Sequence, residues 1–84
     1  MRYTKGAAGP SSSHNIEIVD HRLGNGNIVH AYAIVETSKG SRGINLMAQG
    51  RHAEALQKQV TLGSRMRLKL RWTGREAATM IGTA

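Results

Sequence analysis

A strict alternation of charged and apolar residues marks one segment of the chain, S-R-M-R-L-K-L-R-W at positions 64–72. Because successive side chains of an extended strand point to opposite faces, this spacing predicts a strand with two unlike faces. One face would carry four cations and the other four apolar side chains. The cations are Arg65, Arg67, Lys69 and Arg71, and the apolar residues are Met66, Leu68, Leu70 and Trp72.

Three runs of strand character precede this segment. Residues 14–23 contain several β-branched side chains and end at the G-N-G sequence of 24–26, whose residues tolerate positive φ and predict a hairpin loop. A second run covers 27–37 and closes at the turn sequence S-K-G-S-R-G of 38–43. The third is I-N-L-M-A-Q-G at 44–50, in which apolar and polar positions again alternate. The first half of the chain therefore predicts three consecutive strands.

The period of the apolar positions changes after the third run. In R-H-A-E-A-L-Q-K-Q-V, residues 51–60, Ala53, Leu56 and Val60 fall at i, i+3 and i+7. That spacing is typical of one face of an amphipathic helix, and most of these residues are good helix formers. Gly63 is suited to a left-handed stop after such a helix. We therefore expect a helix of two to three turns.

The elements together predict the fold class. After the alternating segment, Thr73-Gly74-Arg75 predicts a short turn and residues 76–84 a weaker fifth strand. The order is then β-β-β-α-β-β, with one short helix between strands three and four. This is the topology of the OB-fold, a mainly β, five-stranded Greek-key barrel.

Length and composition set the domain organisation. Eighty-four residues make one domain, which we place at 14–84, preceded by a flexible basic arm at 1–13 that is rich in Gly, Ser and Ala. A chain this small buries only about 60% of its unfolded surface, so assembly into a homo-oligomer, a dimer or tetramer, is expected. Without cysteine there are no disulfides. Since no signal-peptide core follows Met1 and no apolar run approaches the roughly 20 residues that span a bilayer, we expect a soluble cytoplasmic protein with no membrane partner.

Charge points to the class of partner. Twelve Lys and Arg residues stand against five acids, for a formal net charge of +7. Such an excess favours binding to nucleic acid or another anionic surface. The aromatic residues are only Tyr3, Tyr32 and Trp72, too few for an extended base-stacking platform.

Catalytic chemistry has little support in the sequence. His14, His21, His30 and His52 do not form a metal-binding spacing, and no cysteine is present to complete one. Residues 11–13 are serines within the predicted arm, with no positioned base nearby in the sequence. The five carboxylates are scattered singly. We therefore expect no enzyme, no catalytic residues, no metal and no cofactor.

Two short motifs resemble a known family. Q-G-R-H-A-E-A-L at 49–56 and L-G-S-R-M-R-L at 62–68 are similar to bacterial single-stranded DNA-binding proteins, in which an Ala-Glu helix and a Lys-Gly-Ser sequence precede strand four. T-L-G-S-R at 61–65 is also similar to the primosomal replication protein N family of dimeric OB-folds. The resemblance covers about residues 14–72. It implies an OB-fold that binds single-stranded DNA along strands two and three and their loops.

The resemblance also implies where individual residues fall. The strand-three aromatics of the family fall on Gly43 and Gln49, which do not stack, and Asn45 falls at a polar contact position. The resemblance places Tyr32 in the core, whereas the scarcity of aromatics makes it a candidate for base stacking. The alternation within strand two leaves open which face is buried. We expect no acidic, proline-rich tail like that of the family.

We therefore expect a non-enzymatic protein that binds single-stranded DNA in replication, recombination or repair, by largely sequence-independent electrostatic contacts. Lys39, Arg42 and Arg75, in predicted loops, would assist the strand-four cations. Trp72 is a stacking candidate, although its apolar face favours packing in the core or an interface. The candidate binding residues are Tyr32, Lys39, Arg42, Asn45, Gln49, Arg65, Arg67, Lys69, Arg71, Trp72 and Arg75.

Three alternatives stay open. The cations of strand four are also typical of a solvated strand face that discourages edge pairing. The chain would equally suit a protein-interaction or oligomerisation module of a replication or mobile-element complex, in which the cations dock an acidic partner. RNA is a third possibility, because the same fold binds it.

Overall fold

Five strands and one helix account for most of the chain. The computed structural model describes residues 10–24 and 27–84, apart from the side chain of Leu23, so residues 1–9 of the predicted arm and Asn25-Gly26 of the predicted hairpin loop lie outside the described residues. The elements are β1 (Ser11–Leu23), β2 (Ile28–Thr37), β3 (Gly40–Gln49), α1 (Arg51–Leu62), β4 (Arg65–Gly74) and β5 (Ala77–Thr83).

The strands form one closed barrel in the order β1-β2-β3-β5-β4, with β4 pairing back onto β1. All neighbours are antiparallel except β3 and β5, which are parallel over Asn45–Met47 and Ala77–Thr79. The helix lies between the third and fourth strands. The predicted mainly β, OB-fold-like barrel is confirmed.

The barrel interior is filled by alternate residues of every strand. On β2 the inward residues are Val29, Ala31, Ala33 and Val35, which decides the question that the alternation of this strand left open. On β3 they are Ile44, Leu46 and Ala48. Leu68 and Leu70 of β4 are fully buried, together with Ala78 and Met80 of β5. No polar or charged residue in the described part of the chain is buried.

The helix packs against β2, β3 and β5 where β3 ends and β4 begins. Ala53 and Leu56 are buried and Val60 packs beside them, as the helical spacing predicts. Gly50 starts the helix at φ 59°, a left-handed conformation that favours glycine. The predicted left-handed stop at Gly63 is wrong. Its φ of 167° is extended, because the chain passes directly into β4.

Three boundaries differ from those predicted. Strand β1 begins at Ser11 rather than at residue 14, because its first residues pair with the end of β4 and the Trp72 N–H donates to the Pro10 carbonyl at 3.3 Å. Strand β3 begins at Gly40, so Arg42 lies in a strand and not in a loop. Strand β4 continues to Gly74, which moves the turn to Arg75 and Glu76. Within residues 10–24 and 27–84, no helix is long and apolar enough to cross a membrane.

Candidate nucleic-acid interface

Strand β4 presents a row of four exposed cations on its outer surface, which we call the cationic ladder: Arg65, Arg67, Lys69 and Arg71. Between them, Leu68 and Leu70 point into the barrel and are fully buried. The predicted separation of this strand into a cationic and an apolar face is therefore observed. Neighbouring cations repeat at roughly 6–7 Å, twice the rise per residue of a strand.

The ladder has little negative charge beside it. Its register partners on β1 are Ser11, Ser13, Asn15 and Glu17, of which only Glu17 is acidic. The Arg65 Nε lies 4.0 Å from the Glu17 Oε1, and these side chains are 84% and 48% exposed. Such an exposed pair is weak and is screened by salt. It is the only ion pair that the structure describes within 4.0 Å.

Glu36 lines an open groove together with Glu17 and Arg65, whereas the remaining register partners of the ladder are uncharged. Arg67 donates a hydrogen bond from Nη1 to the Asn15 Oδ1 at 3.2 Å. On the β5 side, Lys69 lies opposite Gly82 and Arg71 opposite Thr79. Like charges at this spacing repel one another, so an anion lying along the row would relieve the repulsion. The arrangement is therefore suited to a linear polyanion.

A second set of candidate residues lies on the outer face of β2 and β3. Tyr32 is 46% exposed and lies opposite Asn45, which is also exposed, as is Gln49 at the end of β3. The core position that the family resemblance implies for Tyr32 is wrong, because the opposite face of β2 fills the barrel. Tyr32 and Asn45 line a shallow groove of about 360 Å³ together with His30 and Asp20-His21-Arg22.

Three further cations lie at the end of the barrel away from the helix. Lys39 is in the β2–β3 turn and Arg75 in the β4–β5 turn, and Arg42 follows the start of β3. Arg42 and Arg75 line an open depression of about 430 Å³ with Glu76. The Arg42 guanidinium lies 5.6 Å from the centroid of the Trp72 ring, a cation–π distance.

Trp72 is partly buried at this end of the core, held by a chain of hydrogen bonds. Its indole Nε1–H donates to the Ser12 Oγ at 3.2 Å. The His14 Nδ1 lies 3.1 Å from the main-chain oxygen of Glu36. Because a carbonyl oxygen only accepts, this His14 Nδ1 carries the hydrogen, and the Ser12 hydroxyl donates to the His14 Nε2 at 2.6 Å. The predicted preference for packing over exposure is observed for this residue.

This hydrogen-bonded chain corrects one expectation. Ser12 lies in β1 with His14 beside it, so the prediction that these serines have no neighbouring base is wrong. The partner of His14 is a main-chain carbonyl of β2, and the Ser12 oxygen already accepts from Trp72 of β4. The three side chains therefore connect β1, β2 and β4 at the mouth of the barrel. Ser12 and His14 are two positions apart, so a strand places them on one face, and the sequence prediction misses the pair because it assigns these serines to the arm.

The eleven candidate residues do not form one patch. In the closed order β1-β2-β3-β5-β4, strand β4 adjoins β5 and β1, so the ladder faces away from Tyr32, Asn45 and Gln49. The barrel end between these two surfaces carries the other four candidates, Lys39, Arg42, Arg75 and Trp72. The ladder ends at Arg71, close to that same end. In addition, the described residues include no cluster of three or more His, Asp or Glu side chains suited to a metal ion.

Comparisons with protein-family models, with curated proteins and with solved structures each returned no match. The resemblance to single-stranded DNA-binding proteins stays a prediction.

Proposed function

We propose that this chain is a non-enzymatic, cytoplasmic protein that binds single-stranded DNA in replication, recombination or repair. The cationic ladder carries the proposal: four exposed cations stand in one row, and one weakly held carboxylate is paired with them. Binding is electrostatic. Lys and Arg side chains neutralise phosphates, and release of the condensed counterions drives association with little dependence on base sequence.

The width of the ladder favours a single strand over a duplex. One row of cations on the curved surface of a small barrel fits one sugar–phosphate backbone. A flexible strand adjusts its phosphates to the roughly 6–7 Å repeat of the ladder, whereas the phosphates of a duplex are held at fixed positions. From Arg71 the sugar–phosphate backbone of the bound strand would continue to Arg75 and Arg42 at the barrel end.

The salt dependence of binding tests the electrostatic mechanism. If the four cations of the ladder neutralise about four phosphates, the slope of log affinity against log salt is near −3, from about −0.7 per phosphate of a single strand. Fluorescence anisotropy of a labelled oligo-dT, titrated at several salt concentrations, gives this slope. A slope near zero would remove the ladder from the mechanism. Competition between matched DNA and RNA oligomers then tells which nucleic acid binds more tightly.

Removing the carboxylate that is paired with the ladder should strengthen binding. Glu17 lies opposite Arg65 and competes with a phosphate for its guanidinium. Two unit charges about 4 Å apart interact by about 1 kcal/mol in water, so Glu17→Gln should raise the affinity for oligo-dT by about two- to fivefold at low salt. The gain should shrink as salt rises. Glu54→Gln, an exposed carboxylate of α1, is the control and should change the affinity little.

A further inference from the structure

The side chain of Tyr32 lies along the surface of the sheet and covers Gly43 of the neighbouring strand. A Cβ atom added to Gly43 would overlap the Tyr32 hydroxyl and would lie 2.6 Å from its Cζ and 3.3 Å from its Cε2. Tyr32 is opposite Asn45 in the register, and Gly43 is opposite Ile34. The ring therefore crosses diagonally between the strands, a reach that cross-strand aromatic residues commonly have.

Only glycine at position 43 allows this arrangement. The distal part of the ring fills the space that any other side chain at position 43 would take. Gly43 does not have a positive φ, so its main chain would accept alanine, and the ring alone would have to move. Glycine inside a strand is otherwise unfavourable, by roughly 0.5–1 kcal/mol relative to alanine. The contact with Tyr32 explains why glycine occupies position 43.

Tyr32 nevertheless keeps 46% of its surface exposed, beside Asn45 and the groove of about 360 Å³. A ring that lies against the neighbouring strand has less conformational freedom left to lose when a planar ligand stacks on it. Base–aromatic stacking tolerates any base, because every base has a π face. Asn45 next to the ring supplies amide donors and acceptors for base edges or sugars.

We propose that Gly43 is a positioning residue, which holds Tyr32 as a stacking platform for one nucleobase on the β2–β3 face. This inference rests on the proposed function, but Tyr32 would contact a base, whereas the ladder would contact phosphates. The two surfaces are on opposite sides of the barrel. Base binding and phosphate binding are therefore separable by substitution.

The test compares two ligands of equal length, oligo-dT and an abasic oligodeoxynucleotide, with Tyr32→Ala, Gly43→Ala and the double variant. Tyr32→Ala and Gly43→Ala should each weaken oligo-dT binding by about 5- to 150-fold, the range expected for one stacked base. Binding of the abasic ligand should change little, since its phosphates still meet the ladder. In the Tyr32→Ala background, Gly43→Ala should cause no further loss. Gly63→Ala, an extended glycine with no atom within 4 Å of the added Cβ, is the control.

Three results would overturn the proposal: unchanged oligo-dT binding by Gly43→Ala, an equal loss for both ligands, or additive losses in the double variant. Thermal melting tests whether the variants are folded. The double variant has room for the new methyl group, so its melting temperature should be no lower than that of Tyr32→Ala. If the wild-type chain binds neither ligand, the proposed function fails together with this inference. If it binds both ligands equally and the variants change nothing, only the stacking platform fails.

Discussion

Reversing two charges in the middle of the cationic ladder should abolish most of the binding to single-stranded DNA. Arg67 and Lys69 are both exposed, and their register partners, Asn15 and Ser13 on β1 and Gly82 on β5, are uncharged. In the Arg67→Glu, Lys69→Glu variant, each change replaces an attraction of about 1 kcal/mol at 4 Å in water with a repulsion of similar size. We expect the affinity for oligo-dT to fall by roughly 100-fold or more at low salt.

The control for this variant is Arg51→Glu with Lys58→Glu on α1. Both residues are exposed, and the pair changes the net charge of the chain by the same amount. If binding depends on the position of the ladder, the control should lose far less affinity than the ladder variant. Equal losses would show that net charge alone governs binding. If the ladder variant kept its DNA affinity but lost self-association in light scattering, the ladder would belong to a protein-interaction module.

The alternation in β4 was the part of the structure easiest to predict. Each outward residue of β4 from Arg65 to Arg71 is charged and each inward residue is apolar, so only one orientation avoids burying cations. Strand β3 has a similar but weaker pattern, with Ile44, Leu46 and Ala48 inside and the uncharged residues Asn45, Met47 and Gln49 outside. Where charge and apolarity alternate without exception, a local pattern is enough to assign the buried face.

Strand β2 shows where the local pattern fails. Both of its faces are largely apolar, with Ile28 and Ile34 on one and Val29 and Val35 on the other. The structure buries the smaller set, which includes Ala31 and Ala33. Small barrels are often filled by alternating small and large side chains. The choice therefore depends on the bulk that the other strands and the helix bring into the interior, which no single strand encodes.

The features that matter most for the candidate site depend on contacts distant in sequence. Trp72 bonds to Ser12, sixty positions away. Tyr32 needs glycine at position 43, which only the β2–β3 register reveals. The sequence also gives no sign that the ladder and Tyr32 face opposite ways, because that follows from β5 inserting between β3 and β4. The candidate residues could be chosen from the sequence, but which of them lie together in space could not.

Truncating Leu56 should cause the largest loss of stability that a single helix residue can produce in this fold. Leu56 is 0% exposed and belongs to the same buried cluster as Leu46, Leu68 and Leu70. Changing a buried leucine to alanine lowers the free energy of unfolding by about 2–5 kcal/mol, because apolar contacts are lost and a cavity is left. Domains of this length have a total stability of roughly 4–13 kcal/mol, from about 0.05–0.15 kcal/mol per residue. Leu56→Ala should therefore lower the urea midpoint sharply with little change in the m-value.

Leu62→Ala is a matched control, because it makes the same substitution in the same helix at a residue that is 78% exposed. Surface changes of this kind usually stay within about 0.5 kcal/mol. A similar loss in both variants would contradict the packing of α1 against the barrel, since helix propensity alone would then explain the effect. Oligo-dT binding by both variants, measured below their melting temperatures, tests whether α1 contributes to binding. The ladder lies on β4 rather than on α1, so folded Leu56→Ala protein should bind as the wild type does.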